Sequence, residues 1–306
     1  MRILVTGAAG FAGRHLAREF AEHGYRVIGL DLSFAEPAPY CGESFAADLA
    51  DSSRIREIFK SVRPDACAHL GGVAYVPAAD MDPLRVLAVN TLGTIHILEA
   101  VRAHVPQCRV LAVTSGQVYG AGAPDARPLD EDAPLLPSSI YAVSKAAADI
   151  AALGYARRHG LLVMTARPNN HTGPGQSPSF AVPAFARQAR AIARGSAPPV
   201  MRVGNLESRR DILDVRDVVR AYRLVLEMGR PGLAYNIAAN RNIRIGDILD
   251  DLCRMAGIKP RIETDPALFR PADSSPVLST ARIEADTGWR PRIPLEQTLR
   301  DVLDEA

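Results

Sequence analysis

The 306-residue chain is poor in cysteine, with four, and in aromatic residues, which make up 6% of it. Cys41, Cys67, Cys108 and Cys253 are widely and irregularly spaced, and no two of them form a C-x-x-C pair. Zinc sites, dithiol chemistry and disulfide frameworks normally need closely paired cysteines. We therefore predict neither a metal site nor a disulfide scaffold.

The chain also lacks an excess of charge and a long apolar run. Its 36 Lys and Arg residues nearly balance 34 Asp and Glu residues, which disfavours nucleic acid or an anionic membrane as the main partner. No run of about 18 apolar residues is present, so we predict no membrane span. The start MRILVTGAAG has no basic segment before an apolar stretch, which disfavours a signal peptide and makes the cytoplasm the expected location.

Short apolar runs alternate with helical patterns in the first half. We predict buried strands at residues 2–6, 25–30, 65–70, 109–114 and 161–166, and helices near residues 11–23, 52–61, 83–104 and 139–158. Such alternation indicates an α/β fold with a Rossmann-type, doubly wound parallel sheet. Further helices are predicted near residues 180–194, 215–228, 245–256 and 294–304. We expect residues 1–168 to form a dinucleotide-binding domain, which elements from about 210–240 can join, and residues 169–306 to form a smaller α/β substrate lobe.

The segment VTGAAGFAG places Gly7, Gly10 and Gly13 between the first strand and the first helix. Glycines there permit a tight turn and close approach of the backbone to a pyrophosphate, which the helix N-terminus attracts. We predict a dinucleotide site that includes Phe11 and Ala12 at the helix start. The alternative is a purely structural glycine turn.

Acidic residues follow the next two strands. Asp31 ends the second strand, where a carboxylate accepts both ribose hydroxyls of NAD(H) and repels the 2′-phosphate of NADP(H). NAD(H) is therefore slightly favoured, although Arg14 keeps NADP(H) open and Asp31 can be an ordinary turn residue. Asp48 and Leu49 are candidates for contact with the adenine, and helix capping is the alternative for Asp48 or Asp51.

The segment YAVSK places Tyr141 and Lys145 four residues apart, on one face of a helix. A lysine cation about 4 Å from a phenol is worth roughly 4 kcal/mol in a partly screened site, or about three pKa units. A tyrosine with its pKa lowered in this way can exchange a proton with a sugar hydroxyl. A chance pair on the surface is the alternative.

The chain resembles the extended short-chain dehydrogenases/reductases that act on nucleotide sugars, within the NAD-dependent epimerase/dehydratase family. The resemblance runs nearly end to end and rests on motifs that occur in order: TGAAGFAG, VNTLGT, TSGQVYG, YAVSK, RPNNHTGPGQ, RDILDVRDVV, YNIA and TGWRP. It implies that Ser115 bonds the reacting oxygen, Tyr141 exchanges the proton, and Lys145 holds the ribose and lowers the tyrosine pKa. It also implies cofactor contacts for Leu70 and for Asn90, which is otherwise a polar residue at a helix start.

Several motifs are similar to those of GDP-4-dehydro-6-deoxy-D-mannose reductases and of the related GDP-mannose 4,6-dehydratases. Sugar 4,6-dehydratases need an acid and a base beyond the tyrosine, and they carry an acidic pair in the places of Gly116 and Gln117. Neither glycine nor a glutamine amide can exchange protons usefully, so elimination of water is disfavoured. Gln117 instead binds a sugar hydroxyl or only fills the pocket.

The same resemblance implies the substrate contacts. Arg210 and Arg270 would clamp the diphosphate, Asn170 would contact sugar or phosphate, and Arg187 and Gln188 would reach the nucleotide. Surface salt bridges are the alternative for the arginines, and the neighbouring Arg209 leaves open which one points inward.

Three further features follow from the resemblance. The family loop usually has an aromatic residue where this chain has Asn169, which leaves the pocket shape open. His171 is interpreted as a structural residue of that loop rather than a general acid. Helices near 83–104 and 139–158 would form a homodimer interface, or else would pack only on their own sheet.

We therefore expect an NAD(P)H-dependent reductase of the C4 ketone of a nucleotide-linked 4-keto-6-deoxyhexose, GDP-4-dehydro-6-deoxy-D-mannose being reduced to GDP-D-rhamnose. The alternatives are a UDP-sugar 4-epimerase that retains NAD and a non-catalytic NAD-binding protein. Non-catalytic relatives commonly lose the tyrosine or the lysine, and this chain has both.

Overall fold

The computed structural model describes residues 1–36, 38–74, 82–121, 127–269 and 274–306. Its main sheet has seven parallel strands in the order β11-β6-β5-β4-β1-β2-β3. The strands are β1 (Arg2–Thr6), β2 (Arg26–Asp31), β3 (Glu43–Ala46), β4 (Ala66–His69), β5 (Arg109–Val113), β6 (Val163–Pro168), β7 (Asn170–Thr172), β8 (Val200–Val203), β9 (Arg209–Arg210), β10 (Ile212–Asp214), β11 (Ala234–Ile237), β12 (Ile243–Arg244) and β13 (Arg261–Thr264). The predicted Rossmann-type fold is confirmed.

Helices cover both faces of the sheet, which is why its strands are buried along most of their length, except for β3, whose burial alternates. The α-helices are α1 (Phe11–Glu22), α2 (Ser52–Val62), α3 (Pro83–Leu87), α4 (Gly93–His104), α5 (Ile140–His159), α6 (Ala181–Ala193), α7 (Val215–Met228), α8 (Ile245–Met255), α9 (Ala281–Thr287) and α10 (Leu295–Glu305). Helices α1 and α7 pack on one face, around Phe20 and Tyr222. Helices α2, α4 and α5 pack on the other, around Phe59 and Leu98.

A second core lies beyond the main sheet. Helices α6, α8 and α10 enclose Phe185, Met201, Leu252 and Leu299, all of which are buried. Strand β11 returns to the main sheet and pairs with β6, and α7 packs on α1. The division of the chain at residue 168 remains a prediction.

The predicted helix at 83–104 is interrupted by a π-helical turn, Ala88–Leu92, between α3 and α4. Such turns are often found at functional sites, and this one holds Asn90. The stretch Pro83–His104 is long and apolar enough to span a membrane by length and composition alone, but half of it is buried inside the protein. Because Ile97 and Val101 of α4 belong to the core under the sheet, it packs as a core helix.

Candidate active site

The glycine loop after β1 has no room for a side chain at Gly7 or Gly13. A Cβ on Gly13 would lie 1.9 Å from the carbonyl oxygen of Gly7, and one on Gly7 would lie 2.8 Å from the Gly71 nitrogen. Gly7 also has a φ of 72°, which favours glycine. Helix α1 then begins with no side-chain cap and no acidic residue in its first turn. These uncapped N–H groups behind a bare backbone fit the pyrophosphate of a dinucleotide.

Asp31 lies at the end of β2 and is tied to the glycine loop. Its carboxylate oxygens accept hydrogen bonds from the Ala9 nitrogen at 2.8 Å and the Leu32 nitrogen at 2.7 Å. The side chain is thus fixed next to the predicted cofactor site. Arg14 instead donates to the Gly175 carbonyl at 3.0 Å, in the loop after β7.

The two other acidic residues have separate structural partners. Asp51 caps α2 by accepting from the Arg54 nitrogen at 3.0 Å. Asp48 accepts from the Ala50 nitrogen and forms an ion pair with Arg85 at 2.7 Å. The capping alternative therefore fits Asp51, while Asp48 links the β3 turn to α3.

Asn90 holds the loop of Gly71 and Gly72, which follow β4. Its side chain accepts from the Val73 nitrogen at 2.8 Å and donates to Ser144 Oγ at 2.9 Å. A Cβ on Gly72 would lie 2.7 Å from Asn90 Oδ1 and 3.5 Å from Lys145 Nζ. Asn90 is thus inside the π-helical turn rather than at a helix start, and it connects the β4 loop to α5. Leu70, at the end of β4, and Leu49 pack beside these glycines.

Sequence reasoning gave no role to His69, the last residue of β4. Its two ring nitrogens bond Thr6 Oγ1 at 2.7 Å and Thr94 Oγ1 at 3.1 Å, and Thr6 Oγ1 accepts from the Gly71 nitrogen. Burial lowers the pKa of His69 to about 3, so the ring is neutral. It fixes the turn beneath the predicted cofactor site. Nothing local in the sequence predicts this, because the partners come from β1 and α4.

The three predicted catalytic residues come together at the end of β5. Ser115, Tyr141 and Lys145 are 7%, 8% and 7% exposed. Tyr141 lies close enough to Ser115 for that side chain to lower the pKa of the Tyr141 hydroxyl, and Lys145 Nζ donates to the Val113 carbonyl at 3.1 Å. Helix α5 presents Tyr141 in its first turn because Ser139 caps it, accepting from the Ala142 nitrogen at 3.1 Å. The arrangement can deliver a proton to an oxygen bound at Ser115.

Burial is the main influence on the pKa values of Tyr141 and Lys145. Burial raises the pKa of Tyr141, and the neighbouring Ser115 only partly opposes this. Burial also lowers the pKa of Lys145 to about 8, because the interior disfavours its charge. Lys145 makes no resolved contribution to the pKa of Tyr141, and the lowering of that pKa by the lysine stays a prediction.

The 3-10 turn that follows Ser115 contains no acidic residue. Gly116 and Gln117 begin a 3-10 turn, Gly116–Tyr119, capped by Ser115, which accepts from the Gln117 nitrogen at 3.1 Å. A Cβ on Gly116 would lie 2.3 Å from Asn169 Oδ1 and 3.0 Å from Leu278 Cδ1. An acidic side chain at this position therefore has no space.

A profile of the GDP-mannose 4,6 dehydratase family matches residues 4–302. The chain belongs to this branch of the NAD-dependent epimerase/dehydratase family. It is an NAD(P)-dependent enzyme of the short-chain dehydrogenase/reductase type that modifies nucleotide sugars.

Named relatives within the family span different reactions. GDP-6-deoxy-D-mannose reductase of Pseudomonas aeruginosa is 36% identical over 305 residues, covering 99% of this chain and 96% of that protein. The structure of RMD from Pseudomonas aeruginosa complexed with NADPH has a TM-score of 0.86 at 34% identity, covering 99% and 98% of the chains. The structure of UDP-glucose 4-epimerase from Thermus thermophilus in complex with NAD has a TM-score of 0.87 at 28% identity, covering 100% and 98%.

The predicted substrate residues of this family member are less closely grouped. Asn170, in β7, accepts from Ser275 Oγ at 3.3 Å. Arg210, in β9, is more buried than Arg209, whose side chain reaches the Asn242 carbonyl. Arg270 lies outside the described residues.

The two candidates on α6 lie elsewhere. Arg187 and Gln188 line an open groove of about 540 Å³, together with Arg202, Arg261 and Glu263. Gln188 bonds the backbone of Arg202 through both amide atoms, at 2.8 and 3.1 Å. That pairing joins α6 to β8, so Gln188 has a structural role.

The loop from residue 170 to 176 is docked on the start of α1. His171 stacks on Phe11, with ring centroids 6.2 Å apart, and its Nδ1 lies 3.3 Å from the Asn169 carbonyl. His15 bonds the Pro174 carbonyl at 2.9 Å. Burial lowers the pKa of His171, which suits a structural residue better than a general acid. The loop that follows β6 thus contacts the predicted cofactor site directly.

Proposed function

We propose that the enzyme reduces the C4 ketone of a nucleotide-linked 4-keto-6-deoxyhexose, converting GDP-4-dehydro-6-deoxy-D-mannose to GDP-D-rhamnose. The observation that carries this proposal is a Ser115–Tyr141–Lys145 group in which the uncharged pair Gly116–Gln117 follows the serine and Gly116 has no room for a side chain. Ketone reduction needs only a hydride and one proton, whereas elimination needs a further acid and base. The identity with the Pseudomonas aeruginosa reductase supports the same reaction.

In this proposal NAD(P)H supplies the hydride, and the protein supplies the proton and the position of the ketone. Ser115 donates a hydrogen bond to the C4 oxygen. Tyr141 donates its hydroxyl proton to that oxygen and regains a proton from solvent through Lys145. A lysine whose pKa is about 8 can exchange protons near neutral pH.

The nucleotide diphosphate carries negative charge that arginine guanidinium groups bind well. We assign it to Arg210 and Arg270, with Asn170 at the sugar side, and place Gln117 against a sugar hydroxyl. We further propose a cytoplasmic enzyme.

The experiment is an absorbance assay at 340 nm with NADH or NADPH. GDP-4-keto-6-deoxymannose made in situ is compared with the UDP- and dTDP-linked 4-keto sugars. Oxidation that depends on the GDP-linked ketone supports the proposal, and oxidation with another sugar corrects the nucleotide. If no ketone is reduced and denaturation releases bound NAD, the second candidate, a UDP-sugar 4-epimerase, replaces it; the Thermus thermophilus epimerase structure favours that candidate.

Replacing Asp31 tests whether the enzyme prefers NADH or NADPH. Replacement Asp31→Asn keeps an acceptor for the Ala9 nitrogen but removes the charge that would repel a 2′-phosphate. We expect the ratio of kcat/KM with NADPH to that with NADH to rise about tenfold, by the loss of a charge repulsion of roughly 1.4 kcal/mol. Steady-state kinetics with both cofactors measure the ratio, and an unchanged ratio would show that Asp31 does not select the cofactor.

We also propose a homodimer formed through α4 and α5. Leu92, Val143 and Ile150 are 50%, 39% and 58% exposed, and the last two share one face of α5, with Gly154 open beside them. Apolar residues grouped in this way on a monomer surface mark an interface. Ile150→Asp should yield a monomer by size-exclusion chromatography with light scattering, while the matched surface change Leu268→Asp leaves the dimer intact. A wild-type chain that is already a monomer would contradict the proposal.

A further inference from the structure

Asn169, between β6 and β7, has a side-chain amide of fixed orientation. Its Nδ2 donates to Asp211 Oδ2 and to the Pro276 carbonyl, both at 3.1 Å. An amide nitrogen has two hydrogens, and both are used by acceptors here. Oδ1 must therefore point away from Asp211 and Pro276.

Asp211, which accepts from the Asn169 amide, is itself held in place by several hydrogen bonds. Asp211 is 3% exposed and accepts from three successive backbone nitrogens, those of Ala239, Asn240 and Arg241, at 3.0, 3.3 and 3.1 Å. The Asn169 nitrogen donates to the Ile237 carbonyl at 2.9 Å. The position of Oδ1 is thus set by β6, β11 and the loop that follows β11.

Oδ1 faces the catalytic loop at Gly116. The space that a Cβ of Gly116 would fill lies 2.3 Å from this oxygen. Gly116 is not among the glycines with positive φ, so the lack of room, rather than backbone conformation, requires glycine here. Within the described ranges, Oδ1 accepts no hydrogen bond. Asn169 is 5% exposed and its Oδ1 is reachable from solvent, so this fixed acceptor is open to a ligand that supplies a donor.

We propose that Asn169 is a specificity-determining residue: its Oδ1 accepts a hydrogen bond from a hydroxyl of the bound sugar other than the reacting oxygen. The inference rests on the proposed function, since it needs a sugar held beside Ser115. A fixed acceptor selects a neutral donor, and the Asp211 carboxylate behind it disfavours a sugar that carries a carboxylate. Asn169 thereby takes the space of an eliminating acid and uses it for recognition.

The test compares binding of GDP and GDP-D-rhamnose by calorimetry. Asn169→Leu keeps the side-chain size and removes Oδ1. We expect GDP-D-rhamnose to bind about tenfold more weakly, as for a lost hydrogen bond that leaves a buried hydroxyl unpaired, with GDP binding unchanged. The matched control is Asn236→Ser, a buried asparagine whose side chain bonds Tyr119 and Leu129 instead, and it should change neither affinity.

A second variant, Gly116→Ala, keeps the proposal testable if Asn169→Leu does not fold. Gly116→Ala leaves Asn169 in the chain but displaces its oxygen, and it should weaken GDP-D-rhamnose in the same selective way. Equal weakening of both ligands, or no change in either, would overturn the role of Asn169. Wild-type protein that binds GDP but not GDP-D-rhamnose would overturn the proposed function itself, and the two failures are therefore distinguishable.

Discussion

Replacement of Tyr141 by phenylalanine is expected to lower kcat by about 10²–10⁴, the range for loss of a general acid. The ring is buried and the change removes only the hydroxyl, which lies close to Ser115. The cofactor affinity should therefore stay close to that of the wild type. Steady-state kinetics with the ketone, together with fluorescence titration of NADH, measure both quantities.

Tyr119→Phe is the matched control for this change. Tyr119 is also buried near the same loop, but its hydroxyl bonds Asn236 at 2.8 Å and Arg167 at 2.7 Å. Its loss should reduce stability and leave kcat within a few-fold of the wild type. If Tyr141→Phe kept full turnover, the proton would have to come from another group.

Replacement of Asp149 by alanine should cost about 3–5 kcal/mol of unfolding free energy, because it leaves a buried cation without its partner. Asp149 is fully buried and pairs with Arg167, which is 3% exposed, at 2.6 Å. Asp149 lies one helical turn after Lys145 and also accepts from Thr114 at 3.1 Å, so the pair supports the catalytic helix and the end of β5. Denaturant unfolding measures the loss.

The surface pair formed by Arg54 and Glu57 provides the comparison for Asp149. Both side chains are exposed, and Glu57→Ala should change stability by under about 1 kcal/mol. The double variant Asp149→Leu with Arg167→Met should recover much of the loss, because apolar pairs often replace buried ion pairs without cost. A loss as small as that of Glu57→Ala would show that Arg167 is stabilised by its other partners.

Five of the seven strands of the main sheet were predictable because each is a short apolar run, whereas β3 and β11 were not among the predicted strands. Strands such as β1 and helices such as α1 were expected within one residue of where they lie. The π-helical turn at Asn90 could not be predicted, because the partners of the Asn90 side chain, Val73 and Ser144, come from other parts of the chain. The pairing of β11 with β6 likewise joins segments about 70 residues apart.

The candidate site could likewise be predicted only in part. Ser115, Tyr141 and Lys145 could be named from motifs, and the fold brings them together. The direction of the Tyr141 pKa shift could not be predicted, because it depends on how far burial outweighs the effect of neighbouring groups. Gly116 and Asn169 belong to two separate motifs, TSGQVYG and RPNNHTGPGQ. Neither motif alone predicts that these two residues approach each other closely.

The central claim, net hydride transfer to C4 of the sugar, is tested most directly with NADH deuterated at both C4 positions. The product of GDP-4-keto-6-deoxymannose turnover is isolated and its C4 position examined by NMR. We predict one deuterium at C4 for each NADH oxidised. Product sugar without deuterium at C4, with NAD still bound to the protein, would contradict the reductase and support an enzyme that retains its cofactor.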